Sequence, residues 1–217
     1  MREQRAGGRL RIAAWVMIPL GLASVLGGIL YFFTAHRGVS VMGDSMDPTH
    51  PRGTMVLVTD VDADDIRRGD VLLLRIPGRY GGAPVIQRVI GKGGDRVASD
   101  GTQVTVNGKA LDEPYLKQDR LPPTPYPFEA QVPEGRLFLM GDNRGNANDS
   151  RFFLDEQDGT VPTAAALGRV SEGFPSAVLT AGALGAALIL GGIGTGYAAW
   201  RRARSAPPAV RTGGPGR

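Results

Sequence analysis

The chain has 217 residues, among them 32 glycines and 16 prolines, a composition suited to many short strands and turns. It contains 0 cysteines and only 2 histidines, which excludes disulfides, a thiolate nucleophile and the usual cysteine or histidine metal sites, so we expect no metal and no cofactor. The net charge of +4 comes from arginine-rich ends, while nearly all acidic residues lie between them, so we expect no nucleic acid as a partner.

The N-terminal segment predicts a membrane anchor. Arginines in residues 1–11 precede an uncharged run from Ile12 to Ala35, which as a helix is longer than the roughly 30 Å hydrocarbon core of a bilayer. A cleaved signal peptide is the alternative, but its apolar region usually has only about 7–15 residues. We therefore predict a transmembrane helix over residues 12–35, with a basic cytoplasmic N-terminus over residues 1–11.

A second uncharged run extends from Gly173 to Trp200 and is followed by arginines with no acidic residue. It predicts a second transmembrane helix over residues 175–200 and a basic, disordered cytoplasmic tail over residues 201–217. The spacing of Gly192 and Gly196 permits close helix packing and is by itself weak evidence for dimerisation. The predicted localisation is the cell membrane, with two passes, both termini cytoplasmic and the intervening domain extracytoplasmic.

The segment between the two runs has the pattern of short strands. Apolar, β-branched runs occur at residues 55–58, 71–76, 85–90 and 137–140, each bounded by turn residues. Asn107-Gly108, within an alternating segment, is a strong hairpin signal. Helical periodicity is scarce, so we predict an all-β domain over residues 38–172, flanked by the two transmembrane helices.

A serine lies in a turn directly after the first β-branched run. The stretch Val39 to Thr49 reads VSVMGDSMDPT, with Ser45 between Gly43 and Pro48. A strand-to-turn transition of this kind exposes a hydroxyl beside backbone N–H groups, and acyl transfer needs such a nucleophile and such an oxyanion site. An ordinary polar turn is the alternative interpretation of these residues.

A dense polar cluster follows the last of these apolar runs. Residues 141–151 read GDNRGNANDSR. Aspartate and asparagine stabilise turns through backbone hydrogen bonds, and arginine can bind a carboxylate through two donors. A calcium-binding loop is the alternative, but the arginines and the absence of a bidentate glutamate argue against it.

These motifs, in their order and spacing, resemble those of the bacterial type I signal peptidases, the S26 serine peptidase family. The resemblance covers about residues 38–172. It rests on several ordered motifs: Ser45-Met46-Asp47-Pro48-Thr49, Gly69-Asp70-Val71, Arg88-Val89-Ile90-Gly91 with Gly94-Asp95, Val106-Asn107-Gly108, Glu113-Pro114-Tyr115, and the cluster at 141–151.

The resemblance implies a two-part extracytoplasmic β domain that removes signal peptides from exported preproteins, with those peptides and the lipid bilayer as partners. Ser45 would be the nucleophile and its own N–H an oxyanion donor, while Gly43 takes the place at which some members add a serine hydroxyl. Candidate residues for the substrate pocket and its surroundings are Met42, Met46, Val85, Ile86 and His50. The motif residues expected to have structural roles are Arg88, Asp142, Arg144, Asp149 and Arg151.

The chain departs from the family at the general base. The family's lysine is expected immediately before Arg88, where this chain has Gln87, and a carboxamide has no basic lone pair near neutral pH. The family's serine that hydrogen-bonds the lysine is replaced by Ala147, so we expect a lysine restored at position 87 to need a serine at 147 as well. Lys92 lies past the strand and is a poor substitute, whereas His50 could act as a surrogate base.

Two hypotheses from different classes follow. The first is a membrane serine endopeptidase that removes signal peptides with an unusual base or a water relay. The second is a catalytically impaired or inactive relative that binds exported chains or a partner peptidase. A self-cleaving repressor-type domain with a related serine–lysine pair is a more distant alternative, and the two predicted membrane spans argue against it.

Overall fold

The computed structural model describes residues 2–116, 126–171 and 173–205, and it divides into two compact units. One unit comprises the two terminal segments, up to Thr34 and from Phe174 onward, and the other comprises Ala35–Gly173. The part of the predicted cytoplasmic tail beyond residue 205 lies outside the described residues. The two units are described in turn.

The terminal unit consists of two long helices, α1 (Arg2–Ala35) and α2 (Ser176–Arg204). Within them, Gly8–Ala35 and Ser176–Arg204 are long and apolar enough to cross a membrane. Many of their large apolar side chains are exposed, as expected of helices that face lipid rather than a protein core. The helix α1 begins before the predicted span and includes the arginine-rich segment.

The two helices pack through small residues within this unit. A β-carbon at Gly21 of α1 would lie 2.7 Å from the carbonyl oxygen of Gly185 in α2, so only glycine allows this approach. The Ser24 hydroxyl donates to the carbonyl oxygen of Ala181 at 2.9 Å. Gly192 and Gly196, which the sequence marked as a possible dimer contact, approach α1 of the same chain.

The second unit contains eleven described strands in two antiparallel sheets. The larger sheet has the order β1-β2-β11-β3-β4-β9-β10 and the smaller sheet the order β7-β6-β5-β8. The strands of the larger sheet are β1 (His36–Ser40), β2 (Met55–Thr59), β3 (Val71–Leu74), β4 (Val85–Lys92), β9 (Arg136–Met140), β10 (Val161–Pro162) and β11 (Ala166–Val170). Those of the smaller sheet are β5 (Arg96–Ser99), β6 (Val104–Val106), β7 (Lys109–Ala110) and β8 (Phe128–Gln131).

The predicted strands and the predicted hairpin are confirmed. Asn107 and Gly108 connect β6 to β7 with φ angles of 54° and 77°, the left-handed values that such a tight turn requires. The label all-β is only partly correct: it describes the second unit, whereas helices make up 38% of residues. The helices α1 and α2, predicted as flanking transmembrane elements, account for most of this helical fraction.

The strand β4 lies inside the larger sheet between β3 and β9. Val85 and Val89 contribute to one apolar cluster, whereas Ile86 belongs to a different one. Because side chains alternate along a strand, Gln87 shares a face with Val85 and Val89, and Arg88 faces the other way. Two neighbouring residues of one strand therefore serve two different sides of the sheet.

Candidate active site around Ser45

Ser45 lies in a turn between β1 and β2. The turn is closed by backbone hydrogen bonds from Asp47 to the carbonyl oxygen of Asp44, at 3.1 Å, and from His50 to that of Met46, at 2.8 Å. Met46 is buried and fixes the turn to the core, while Ser45 itself is half-buried. In the described part of the chain, neither the amide nor the hydroxyl of Ser45 has a hydrogen-bond partner. The described fold therefore engages neither of these two groups.

The segment that follows β9 holds this turn from one side. The backbone N–H of Asn143 donates to the carbonyl oxygen of Ser45 at 2.9 Å, and its side-chain amide donates to that of Asp44 at 3.0 Å. A β-carbon at Gly141 would lie 2.5 Å from the carbonyl oxygen of Ser45 and 2.4 Å from the β-carbon of Ala147. The close approach thus requires glycine at position 141. The two hydrogen bonds from Asn143, which we call the Asn143 clamp, fix the orientation of the Ser45 peptide group.

A buried ion pair supports the same segment. Arg88 donates through Nε and Nη2 to the two carboxylate oxygens of Asp142, at 2.8 and 2.6 Å, and through Nη1 to the carbonyl oxygen of Gly69 at 2.8 Å. The Thr49 hydroxyl donates to the same carboxylate at 2.5 Å, which connects the Ser45 turn to the ion pair. The guanidinium also stacks on the Tyr115 ring, 4.0 Å from its centroid. The charges are thus paired and their hydrogen-bonding groups satisfied.

The remaining polar residues of the cluster bond one another. Asp149 is fully buried, accepts from the backbone N–H of Gly141 at 3.0 Å and pairs with Arg151 at 2.8 Å. Arg144 pairs with Glu113 in a further buried salt bridge and donates to the carbonyl oxygen of Gly141 at 3.0 Å. These contacts hold the loop after β9 in one shape beneath Ser45.

Gln87 is buried, with 2% of its surface exposed, and its side chain is held at the nitrogen end. Its Nε2 donates to the hydroxyl of Tyr80 at 3.1 Å and to the carbonyl oxygen of Asn148 at 3.0 Å. Because a carbonyl oxygen can only accept, these contacts require the amide nitrogen, and not the amide oxygen, on that side. Asn148 directly follows Ala147, the residue that packs towards Gly141, so Gln87 and Ser45 flank the same short segment.

Tyr80 is the residue of this site that the sequence did not predict. It lies in the loop between β3 and β4, and its hydroxyl donates to the carbonyl oxygen of Asn148 at 2.7 Å. A tyrosine in a glycine-rich connecting loop is only a weak signal, since nothing local indicates a contact with a residue 68 positions away.

The other predicted residues lie in different surroundings. Met42 is largely exposed, whereas Met46 and Ile86 share a buried apolar cluster and Val85 packs against another cluster. Around Gly43 there is open space, because a β-carbon added there meets no described atom within 4 Å. The pocket and oxyanion roles of these residues remain predictions.

Lys92 lies at the far end of β4, where its Nζ donates to the carbonyl oxygen of Ile66 at 3.1 Å. Five residues separate it from Gln87, which along a strand corresponds to about 16 Å. This separation agrees with the expectation that Lys92 is a poor substitute for a base at position 87.

Comparison with known proteins identifies the family. A model described as "Signal peptidase, peptidase S26" matches residues 10–174. Signal peptidase I S of Bacillus subtilis is 39% identical over 164 residues, covering 70% of this chain and 84% of that protein. A probable signal peptidase I-1 of Synechocystis is 36% identical over 153 residues, covering 65% and 76%. The chain therefore belongs to the S26 signal peptidase family.

Two further similarities are more limited in coverage. Signal peptidase I of Bacillus amyloliquefaciens is 37% identical over 120 residues, and the match spans 63% of that relative and 51% of this chain. A crystal structure of a signal peptidase I from Enterococcus faecalis is 28% identical, with a TM-score of 0.40, and the match covers 49% of this chain and 97% of the other.

Proposed function

We propose that this protein is a membrane-bound serine endopeptidase of the signal peptidase I type, which removes signal peptides from exported preproteins with slow turnover. Ser45 is the nucleophile and its backbone N–H the oxyanion donor. The observation that carries the proposal is the Asn143 clamp, which holds the Ser45 peptide while leaving its N–H and hydroxyl unbonded to described residues. Family membership gives the substrate class.

The proposed turnover is slow because position 87 carries no base. General-base catalysis typically contributes about 10²–10⁴-fold to a reaction rate, and a carboxamide cannot accept the serine proton. Hydroxide, a water relay or His50 would then have to remove the proton from Ser45. Of these, His50 is the one that mutation can test directly, because it ends the Ser45 turn.

A second function is favoured by the same residue. With its nitrogen held by Tyr80 and Asn148, Gln87 takes part in hydrogen bonds with neutral groups and supplies no base, so a peptide bound near Ser45 would not be cleaved by general-base catalysis from this position. The protein would then bind exported chains or a partner peptidase. In this alternative the protein binds the family's substrate class but does not cleave the peptide bond.

A cleavage assay separates the two functions. The purified full-length chain, in detergent or proteoliposomes, is incubated with a preprotein that carries small residues at the first and third positions before the cut. The proposal predicts slow cleavage that disappears in Ser45→Ala, while binding of the preprotein persists. Binding without any cleavage by the unmodified chain favours the second function, and absence of both contradicts the signal-peptide assignment. Loss of cleavage in His50→Gln, with folding intact, would identify His50 as the surrogate base.

We also propose a two-pass topology with the β domain outside the cytoplasmic membrane. The arginines that flank both apolar helices favour cytoplasmic termini. Since the chain has 0 cysteines, single cysteines are specific probes. In intact cells or spheroplasts, a membrane-impermeant maleimide should label Lys109→Cys on the exposed β6–β7 hairpin and spare Ser205→Cys after α2. The opposite labelling pattern would overturn the topology.

A further inference from the structure

The side chain at position 87 has a hydroxyl partner in spite of the alanine at 147. The nitrogen of Gln87, the Tyr80 hydroxyl and the Asn148 carbonyl oxygen form a triangle with sides of 3.1, 3.0 and 2.7 Å. The carbonyl oxygen accepts from both other members, which uses its two lone pairs. Because the Tyr80 hydroxyl donates its proton to this carbonyl, its oxygen can accept a hydrogen bond from a nitrogen on side chain 87.

The loop presents Tyr80 to this position in a strained backbone conformation. Tyr80 has a φ of 55°, in the left-handed region that residues other than glycine seldom adopt, and Gly78, Gly81 and Gly82 around it also have positive φ. Strain of this kind persists where surrounding contacts enforce it, and it is concentrated at functional sites. The outlier and the hydrogen-bond triangle are independent observations on the same residue.

Contacts on the far side fix the loop that bears Tyr80. Arg79 is buried, stacks over the Phe153 ring at 3.9 Å and donates to the carbonyl oxygen of Gly159 at 3.2 Å. The Tyr80 ring meets the Phe153 ring edge-to-face, with centroids 6.3 Å apart. The phenol is therefore held by its ring as well as by its hydroxyl.

Tyr80 is suited to positioning and not to proton abstraction. Burial raises the pKa of its phenol, the Asp149 charge raises it further, and the Gln87 amide and the Arg79 charge only partly oppose these effects. The hydroxyl therefore keeps its proton throughout the neutral range and continues to donate it to Asn148. An oxygen with this protonation state accepts a hydrogen bond but takes no proton.

We propose that Tyr80 is a positioning residue. Together with the Asn148 carbonyl, its hydroxyl holds the terminal nitrogen of side chain 87 beside the loop after β9, which packs on the Ser45 turn. The same pair would hold an amine placed at position 87. The importance of this arrangement for cleavage rests on the proposed function, whereas the arrangement itself can be measured without it.

The first test measures the protonation of a lysine introduced by Gln87→Lys. Lysine labelled with ¹³C at Cε gives a simple NMR spectrum, since the native lysines are only Lys92, Lys109 and Lys117. An acceptor that bonds an amine stabilises its charged form, so adding Tyr80→Phe should lower the pKa of the introduced lysine by about one unit. The matched control Tyr126→Phe alters an exposed tyrosine and should leave this pKa unchanged.

The second test uses the native residue and does not depend on the folding of the lysine variant. The side-chain amide protons of Gln87 should exchange with solvent about fivefold faster or more in Tyr80→Phe than in the unmodified protein or in Tyr126→Phe, because one acceptor is lost. Equal exchange rates, or equal lysine pKa values in Tyr80→Phe and Tyr126→Phe, would overturn the proposal. Neither measurement requires enzymatic activity.

The activity of Gln87→Lys adds a catalytic readout. Where this variant cleaves a preprotein, adding Tyr80→Phe should lower kcat about tenfold with little change in KM. It should also move the midpoint of the pH profile to lower pH, because the pKa of the introduced lysine is lowered. A purely structural role would lower the melting temperature and leave that midpoint in place. If no variant cleaves or binds a preprotein but the lysine pKa responds to Tyr80→Phe, the positioning role stands and the proposed function fails.

Discussion

The two faces of the larger sheet differ at adjacent residues of β4. On one face, Arg88 forms a buried, bidentate ion pair with Asp142, and Thr49 links that pair to the Ser45 turn. On the other face, within the part of the chain that the structure describes, the Gln87 amide donates to the Tyr80 phenol and to the carbonyl oxygen of Asn148, which directly follows the buried Ala147. The charge of Arg88 is thus paired, whereas position 87, which we propose to correspond to the family's base, carries a neutral amide.

From this difference we infer that the contacts that support Ser45, the proposed nucleophile, are separate from the residue that would activate it. Asp142, Asn143 and Gly141 hold the Ser45 turn through contacts that do not involve the side chain at position 87. The Ser45 site can therefore keep its shape with a glutamine, and the expected loss concerns proton transfer and not binding. Variants on each face should accordingly have different phenotypes.

The largest effect on stability is expected for Asp142→Ala. The substitution leaves Arg88 buried without its carboxylate, and such uncompensated charges typically cost about 3–5 kcal/mol. Pulse proteolysis of the full-length chain in urea and detergent would measure the change in unfolding free energy. The matched control is Glu129→Ala, which breaks the similarly bidentate but exposed pair with Arg96 and should change stability little. Equal effects of the two substitutions would show that the buried pair does not support the turn.

Gly141→Ala should have the next largest effect, and it also acts on the support of Ser45. The new β-carbon would collide with the carbonyl oxygen of Ser45 and with Ala147, and overpacking of this kind costs about 1–3 kcal/mol. Displacement of Ser45 should also abolish cleavage of a preprotein. Gly145→Ala is the control, because a β-carbon there meets no described atom within 4 Å. Normal cleavage by Gly141→Ala would contradict the assigned support of Ser45.

A smaller effect, of opposite sign, is expected for Gly43→Ser. The position is open and its φ is not positive, so a serine side chain fits without strain. A hydroxyl there could serve as a second oxyanion donor beside the Ser45 N–H, and we expect about a tenfold faster cleavage by a variant with a lysine at position 87. Gly43→Ala separates the hydroxyl from the added bulk and should not accelerate the reaction. Equal rates for Gly43→Ser and Gly43→Ala would exclude Gly43 from the oxyanion site.

Local patterns predicted most of the strands and the positions of the polar motifs. The apolar run at residues 85–90 specifies β4, and Asn107-Gly108 specifies the β6–β7 hairpin, through alternation and turn geometry, which are properties of a few adjacent residues. The Ser45 turn and the cluster at 141–151 were recognised from dense polar motifs. Their mutual contacts, such as that between Asn143 and Asp44, join residues 99 positions apart, which no local pattern specifies.

Tyr80 and the glycines of α2 mark the limits of that prediction. Tyr80 reaches Asn148 through the conformation of a loop, and that conformation depends on the contact of its neighbour Arg79 with Phe153 elsewhere in the fold. The spacing of Gly192 and Gly196 is the same whether the partner helix belongs to this chain or to another copy, and only the structure identifies the partner as α1. Sequence patterns indicate which surfaces pack closely, while the choice of partner is a tertiary property.

The central claim is that the contacts supporting the Ser45 turn are intact while the base that would activate its hydroxyl is missing. The most direct test compares single-turnover cleavage by Gln87→Lys/Ala147→Ser with that by the unmodified protein. Restoring the base and a hydroxyl partner on an intact Ser45 site should raise the rate by about 10²–10⁴-fold, with a new dependence on pH in the basic range and little change in preprotein binding. Adding Ser45→Ala should abolish the gain. A rate for the unmodified protein equal to that of the double variant, and equally dependent on Ser45, would contradict the claim that Gln87 is what limits this site.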